Sequence, residues 1–376
     1  MALFSGSLSA VEQGLIYALL ALGVFLTFRI LNFADLTVDA TFVTGAATAA
    51  VFITNGHSPA LAVLAGGIAG ALGGLITALL HTVGKIDPLL ASILTMLGLY
   101  SVNLRIMSGR GNISLIRADT MFTPVREHLG TWASVGLMAL GVAGVIVILL
   151  WFLRTDFGLA IRATGDNPGM ASSFGVPNNF TKTVTLMLAN GLVGLTGAIV
   201  AQYQGFADIG GGTGLILAGL ASVILGNAIL GTRFMVLALV GVALGSVIYR
   251  LAIFLALKLP FVQTTDMKII SAGIVVVALV LSQSTTVRSG LAKLSLWRNK
   301  SNLPEPMTMV PNPFSPLASS DAVLTEAEIR SHNEFEPGQS TARTTSSTAV
   351  LDPPETGRPQ STDTDRPSAG TAKEEI

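Results

Sequence analysis

The sequence predicts an all-α fold: a polytopic bundle of about nine membrane-spanning helices (range eight to ten), followed by a disordered C-terminal tail. Three observations carry this expectation. Hydrophobic residues make up 51% of the chain, charged residues only 12%, and the mean hydropathy is +0.66. A soluble domain carries about 25% charged residues. Apolar stretches of about 20 residues recur, the length that crosses roughly 30 Å of hydrocarbon at 1.5 Å per residue. The charges are also segregated: residues 1–290 hold 14 of the 22 Lys and Arg and 10 of the 22 Asp and Glu, and residues 291–376 hold 8 and 12. The net charge of zero is therefore a cancellation between unlike regions, and it implies no nucleic-acid partner.

Taken in order, the expected spans lie near 10–31, 37–54, 59–81, 88–107, 132–153, 180–203, 213–231, 234–257 and 268–284. No basic n-region or cleavage site precedes the first, so it is expected to persist as a span. Turn-forming residues separate the others: Asn55-Gly56, Asp87-Pro88, Gly109, Asn167-Pro168, Gly210-Gly211-Gly212 and Leu259-Pro260. Small residues spaced four apart, Gly66/Gly70/Gly74 and Gly241/Gly245, allow close backbone approach and point to a packed bundle rather than separate anchors. The near-identity of Gly14–Leu20 with Gly74–Leu80 is read as coincidence, because membrane helices draw on few residue types.

Cations set the expected orientation. The basic loop Arg154 to Lys182 is placed in the cytoplasm, and counting from it puts Arg29, the His81–Lys85 turn and Arg233 on the same side. Arg288, Lys293, Arg298 and Lys300 follow the last span there, and residues 1–9 fall outside. Residues 109–131 carry Arg110, Arg117 and Arg126 yet count as external, which leaves a missed or re-entrant segment open. Residues 1–290 are expected to form the membrane domain and 291–376 a cytoplasmic tail. From about residue 301 Ser, Thr, Pro and Glu dominate, a composition that cannot bury enough apolar surface to offset chain entropy. That tail is either without a specific role or a site of regulation by phosphorylation.

Catalytic chemistry finds no foothold. The chain has no cysteine, which excludes disulfides and thiolate metal sites. His57, His81, His128 and His332 lack metal-ligand spacing, and no Gly-x-Ser-x-Gly elbow or Walker A sequence occurs. The Gly210–Gly214 run lacks the Lys-Ser/Thr of a phosphate loop. Neither a catalytic residue, a metal nor a bound cofactor is expected.

The stretch Arg154–Val176 is the most informative. It reads as two short helical pieces broken at Gly165–Pro168, with Asp166 or Asn167 as N-cap and Pro168 in the first helical position. Ala160, Ala163, Ala171 and Ser172 leave a shallow surface flanked by Arg154 and Arg162, suited to docking in a groove of another protein. An ordinary amphipathic loop would share these features.

The pattern Arg-Thr-x-x-Gly-x-x-x-Arg-Ala-x-Gly-x-Asn-Pro-x-x-Ala-x-x-x-Gly resembles the coupling loop of ABC importer permeases in the branched-chain amino acid and ribose permease superfamily. Arg154, Gly158, Arg162, Ala163, Gly165, Asn167, Pro168, Ala171 and Gly175 fall on it, within the loop 154–178. Tyr17–Gly23 followed by Asn32-Phe33-Ala34 is similar to the family's first span and its Asn-Phe-Ala signature. Branched-chain permeases continue that signature with His-Gly. Here Asp35-Leu36-Thr37-Val38-Asp39 follows, a version that resembles a subgroup associated with tryptophan/tyrosine-type binding proteins.

The resemblance covers roughly residues 10–290. It implies a permease subunit in the bacterial plasma membrane, with cytoplasmic ABC ATPase subunits that hold ATP and Mg, an extracytoplasmic solute-binding protein, and a second permease subunit. The solute would be small, an amino acid or similar, moved by alternating access.

Asn32, Phe33, Asp35 and Asp39 are candidates for the translocation path or a subunit contact near the cytoplasmic ends of the first two spans. For Asp35 the competing reading is a cap on the second span's first amides. Gln202–Ile209 would line an outer entrance, meet a binding protein or form a plain loop. The alternative function is a stand-alone secondary transporter, which usually needs ionisable residues or broken helices at the midplane. Spans nearly free of central charge argue against it, and an intramembrane enzyme lacks a nucleophile–base pair.

Overall fold

The computed structural model describes residues 2–116, 118–231, 234–258 and 267–283, all within the first of the chain's two units, Met1–Leu303. Arg117, Arg233, Leu259-Pro260, the cations from Arg288 onward and the expected tail lie outside the described residues.

Helices dominate. They are α1 (Ala2–Val24), α2 (Thr37–Thr54), α3 (Pro59–Thr82), α4 (Pro88–Ile106), α5 (Phe122–Arg154), α6 (Asp156–Asp166), α7 (Pro168–Ser173), α8 (Asn178–Gln204), α9 (Leu215–Leu230), α10 (Met235–Ala256) and α11 (Met267–Gln283). Their starts follow local chemistry. Ser58 accepts a hydrogen bond from Leu61 N (3.4 Å) and Asp87 one from Leu89 N (3.0 Å), each with proline in the next position. Such caps satisfy amides that the first helical turn leaves free. The wider π turns of Phe25–Ile30 prolong α1, closed by Leu31 N to Leu26 O (3.0 Å), before the chain leaves the helix at residue 31.

Among the described residues, seven helices are long and apolar enough to cross a membrane. Two more helices are shorter, α9 at 16 residues and α11 at 17. The span expected near 213–231 is thus a helix that starts only at Leu215. The residues before it form turns, and a Cβ built on Gly212 would lie 2.0 Å from Asp39 O.

Small residues let the bundle close. A Cβ on Gly70 would meet Asn190 O at 2.4 Å, one on Gly74 Leu186 O at 2.4 Å, and one on Gly45 Gly194 O at 2.0 Å. α2, α3 and α8 therefore pack backbone to backbone. Gly245 does the same against Ser222 O (2.0 Å), joining α10 to α9. In lipid, where apolar side chains gain little by leaving the solvent, close van der Waals packing of this kind drives association.

One feature departs from the all-α expectation. β1 (Asn112–Ser114) pairs antiparallel with β2 (Phe206–Asp208), placing Asn112 opposite Asp208 and Ser114 opposite Phe206. Three-residue strands are too short for an alternating pattern to register in sequence. The pairing places residues 112–114 at the end of the bundle where α8 finishes, opposite the end that bears α6 and α7.

Candidate functional site

The α6–α7 loop has the predicted break. Thr155 caps α6 by accepting from Gly158 N (3.2 Å), and Asn167 caps α7 by accepting from Met170 N (3.0 Å), with Pro168 at the first helical position. Gly175 ends α7 at φ +82°, a left-handed conformation that glycine adopts without steric cost. Asn178, which the sequence did not single out, bridges the two pieces. Its Nδ2 donates to Pro168 O (2.6 Å) and its Oδ1 accepts from Thr164 Oγ1 (3.1 Å).

The loop residues divide by the way they face. Arg154, Ala163, Asn167, Pro168 and Gly175 are exposed. Met170 and Phe174, at 59% and 77% exposure, add an apolar surface. Ala171, expected on the shallow outer face, is buried. Arg162 turns inward, and its Nη2 donates to Leu153 O at the end of α5 (3.1 Å). Gly158 packs on the same turn, since its Cβ would lie 2.4 Å from Phe152 O.

Among the glycines of this loop, Gly165 makes the tightest approach. A Cβ there would stand 1.9 Å from Ile30 O and 3.1 Å from Leu31 Cα, so α6 rests directly on the last turn of α1's π segment. Beside this contact lies a cavity of about 280 Å³ lined by Phe25, Arg29, Ile30, Arg162, Asp166 and Met235. The structure thereby brings the loop against residues that immediately precede Asn32 and Phe33. Asn32 is exposed at φ +54° and Phe33 is buried, edge-on to His81 with ring centroids 5.2 Å apart. His81 Nδ1 contacts Ile86 O at 2.9 Å, so that nitrogen carries the proton. Its Nε2 then accepts from Lys182 Nζ (3.1 Å), tying α3 to the start of α8.

Asp35 and Asp39 each hold hydrogen bonds between helices. Asp35 is fully buried; its Oδ1 accepts from Thr37 N (2.9 Å) and its Oδ2 from Asn190 Nδ2 (2.7 Å). Asn190 is the thirteenth of the 27 residues of α8, so the carboxylate sits at that helix's mid-length. Thr41 Oγ1 donates to Asn190 Oδ1 (2.8 Å), and the Thr37 and Thr77 hydroxyls meet at 2.7 Å. Asp35 thus both caps the first turn of α2 and links it to α8. The bond from Thr37 N is the one the capping reading expects.

Asp39 caps a different helix. Its Oδ2 accepts from Gly214 N (2.7 Å) and its Oδ1 from Ile216 N (2.8 Å), at the N-terminus of α9. A carboxylate here satisfies two orphan amides and faces the positive end of the helix dipole. This is why the chain can turn inside the bundle, where unpaired backbone groups are costly.

The spans also hold more ionisable groups than the sequence suggested. Glu12 in α1 is buried and accepts hydrogen bonds from Ser134 Oγ and from Tyr203 OH (3.1 Å). In the Gln202–Ile209 segment Gln202 is likewise buried. Its Oε1 accepts from Met121 N (3.0 Å) and its Nε2 donates to Pro59 O (3.2 Å), bonds that join three chain segments. Among the described residues, no group of three or more His, Asp or Glu side chains could hold a metal ion.

The comparisons with known proteins agree with this architecture. The profile of a family described as "Branched-chain amino acid transport system / permease component" matches residues 7–280. A "Tyrosine transport system permease protein" of Clostridioides difficile (strain R20291) is 36% identical over 273 residues, covering 72% of this chain and 90% of that protein. A "Galactofuranose transporter permease protein" of Escherichia coli (strain K12) is 30% identical, covering 64% of this chain and 70% of its own length. An "Autoinducer 2 import system permease protein" of Salmonella typhimurium is 30% identical over 56% of this chain and 60% of its own. No solved structure matches the chain.

Proposed function

We propose that this chain, which belongs to the branched-chain amino acid transport-system permease family, is the membrane subunit of an ATP-driven importer for a small amino-acid-like solute. The observation that carries the proposal is the family match over nearly the whole described membrane region, 7–280. The tyrosine-system relative supports an amino-acid-like cargo, because it covers the largest share of this chain among the relatives described above. ATP and Mg belong to a separate cytoplasmic ATPase, an extracytoplasmic binding protein delivers the solute, and a second copy of the permease completes the pathway. The protein then spans the bacterial plasma membrane with its C-terminus in the cytoplasm.

The α6–α7 loop is the part that meets the ATPase. Its exposed Met170 and Phe174 offer apolar side chains to a groove, and Gly165 passes any displacement of α6 to the end of α1 through backbone contact. Closure of the ATPases would push on α6 and shift α1 against its neighbours, opening the path to one side at a time.

A stand-alone secondary transporter is favoured by one observation, the carboxylates and the interrupted backbone at mid-bundle, which that class uses to bind coupling ions. The carboxylates are already engaged, however: both oxygens of Asp35 and both of Asp39 hold hydrogen bonds that secure helices.

The test is co-purification with the ATPase and uptake in reconstituted vesicles. Met170→Asp with Phe174→Asp, on an exposed surface, is expected to abolish ATPase capture and uptake while leaving the melting temperature unchanged. Full uptake by this variant, or concentrative uptake by the chain without any ATPase, refutes the proposal.

A further inference from the structure

A cavity of about 360 Å³, the size of a small-ligand site, opens between α1, α9, α10 and α11. Its polar lining comes from Tyr17, Gln204, Thr213, Tyr249, Arg250 and Ser271, and among the described residues no Asp or Glu lines it. Arg250 is the sixteenth of the 22 residues of α10, inside a segment long and apolar enough to span. An arginine in such a segment is costly unless something compensates its charge. The guanidinium carbon stands 3.5 Å from the centroid of the Tyr17 ring, which offsets part of that cost, but the buried Nε has no hydrogen-bond partner.

Among the described residues, the cavity wall supplies no competing acceptor of full charge. Tyr249 OH and Ser271 Oγ are hydrogen-bonded to each other. The nearby N-terminus of α9 is not the anion donor either, because Asp39 already occupies the amides of Gly214 and Ile216. What remains is a cation seated over an aromatic ring and lining a roomy pocket. Its fork geometry matches a carboxylate.

We propose that this cavity binds the carboxylate of the transported solute through Arg250, which sets a requirement for an α-carboxylate in the cargo. The inference rests on the importer reading for its choice of solute, but its test does not require transport. A lipid phosphate presents a similar anion, and the experiment separates the two sources.

The full-length protein, purified in neutral detergent, would be melted with each of the twenty common amino acids, with the amine obtained by decarboxylating each one that binds, and with phosphatidylglycerol. The expected result is a rise in melting temperature with at least one amino acid, none with its decarboxylated amine, and no amino-acid response in Arg250→Gln. If Arg250→Gln does not fold, Arg250→Lys keeps the charge without the fork and is expected to need about tenfold more amino acid for the same shift. No response of the native protein to any amino acid overturns the proposal. So does an equal response to the amine, an unaltered response in the variants, or a shift with phosphatidylglycerol alone. Failure of ATP-driven uptake with the amino-acid response intact would refute the importer reading and leave this site standing.

Discussion

Substituting Gly165 by alanine isolates the contact between the α6–α7 loop and α1. The new methyl group would sit 1.9 Å from Ile30 O, whereas a carbon–oxygen contact normally needs about 3.3 Å, so α6 and the end of α1 must separate by roughly 1.4 Å. The obstacle is a backbone carbonyl, which cannot rotate out of the way as a side-chain tip could. Overpacking costs about 1–3 kcal/mol, and the rigid obstacle places this case toward the upper end. Alanine regains about 1 kcal/mol of helix propensity, leaving a net loss of about 1–2 kcal/mol. That loss appears either as lower stability or as a displaced loop. Gly169→Ala is the matched control, since its methyl group would lie at an ordinary 3.4 Å from Asn167 Oδ1 in the same loop. The assay is ATPase stimulation and uptake in vesicles, with a melting curve for each protein. Gly165→Ala is expected to lose at least tenfold in uptake per ATPase bound, and Gly169→Ala to match the native protein. Equal uptake and equal melting temperature for both variants would show that α6 does not bear on Ile30 as described.

Other perturbations address the buried side chains. Asp35→Asn sets an amide against Asn190 Nδ2 and is expected to cost about 1–3 kcal/mol. Pairing it with Asn190→Asp restores a donor opposite an acceptor, and a double-mutant cycle on thermal unfolding is expected to show a favourable coupling of about 1 kcal/mol. Asp39→Ala uncovers the amides of Gly214 and Ile216 and is expected to lower stability by about 1–2 kcal/mol, read from the melting temperature, with Asp39→Asn in between. Asn178→Ala removes the bridge from Thr164 to Pro168, and faster amide exchange across residues 164–176 with little change in global melting is the expected signature.

What could be read in the sequence was what local chemistry or regular spacing encodes. The break between α6 and α7 was legible because Asn167-Pro168 is a cap followed by a residue suited to a first turn, and Asn167 does cap Met170 N. The seams at Gly66, Gly70, Gly74, Gly241 and Gly245 were legible as repeats of four, and each glycine meets an atom of a neighbouring helix. Long-range pairing left no such trace. Glu12 meets partners 122 and 191 positions away, and Asn190 reads as one polar residue in an apolar helix until its bond to Asp35 is seen. Hydropathy likewise merged Thr213 and Gly214 into a span, since an average over 213–231 does not register that these first two residues are turns. From sequence Asp39 reads as a candidate for the translocation path or a subunit contact, and nothing nearby in the chain points to the start of α9, which it caps.

The double grip of Asp39 has a consequence for motion. Because one side chain on α2 holds two amides at the start of α9, the two helices cannot slide past each other by even a single turn without breaking both bonds. They form a bolted pair. Relative motion costs less along seams such as the glycine-smoothed face between α9 and α10, where Gly226, Gly241 and Gly245 lie against backbone atoms of the facing helix.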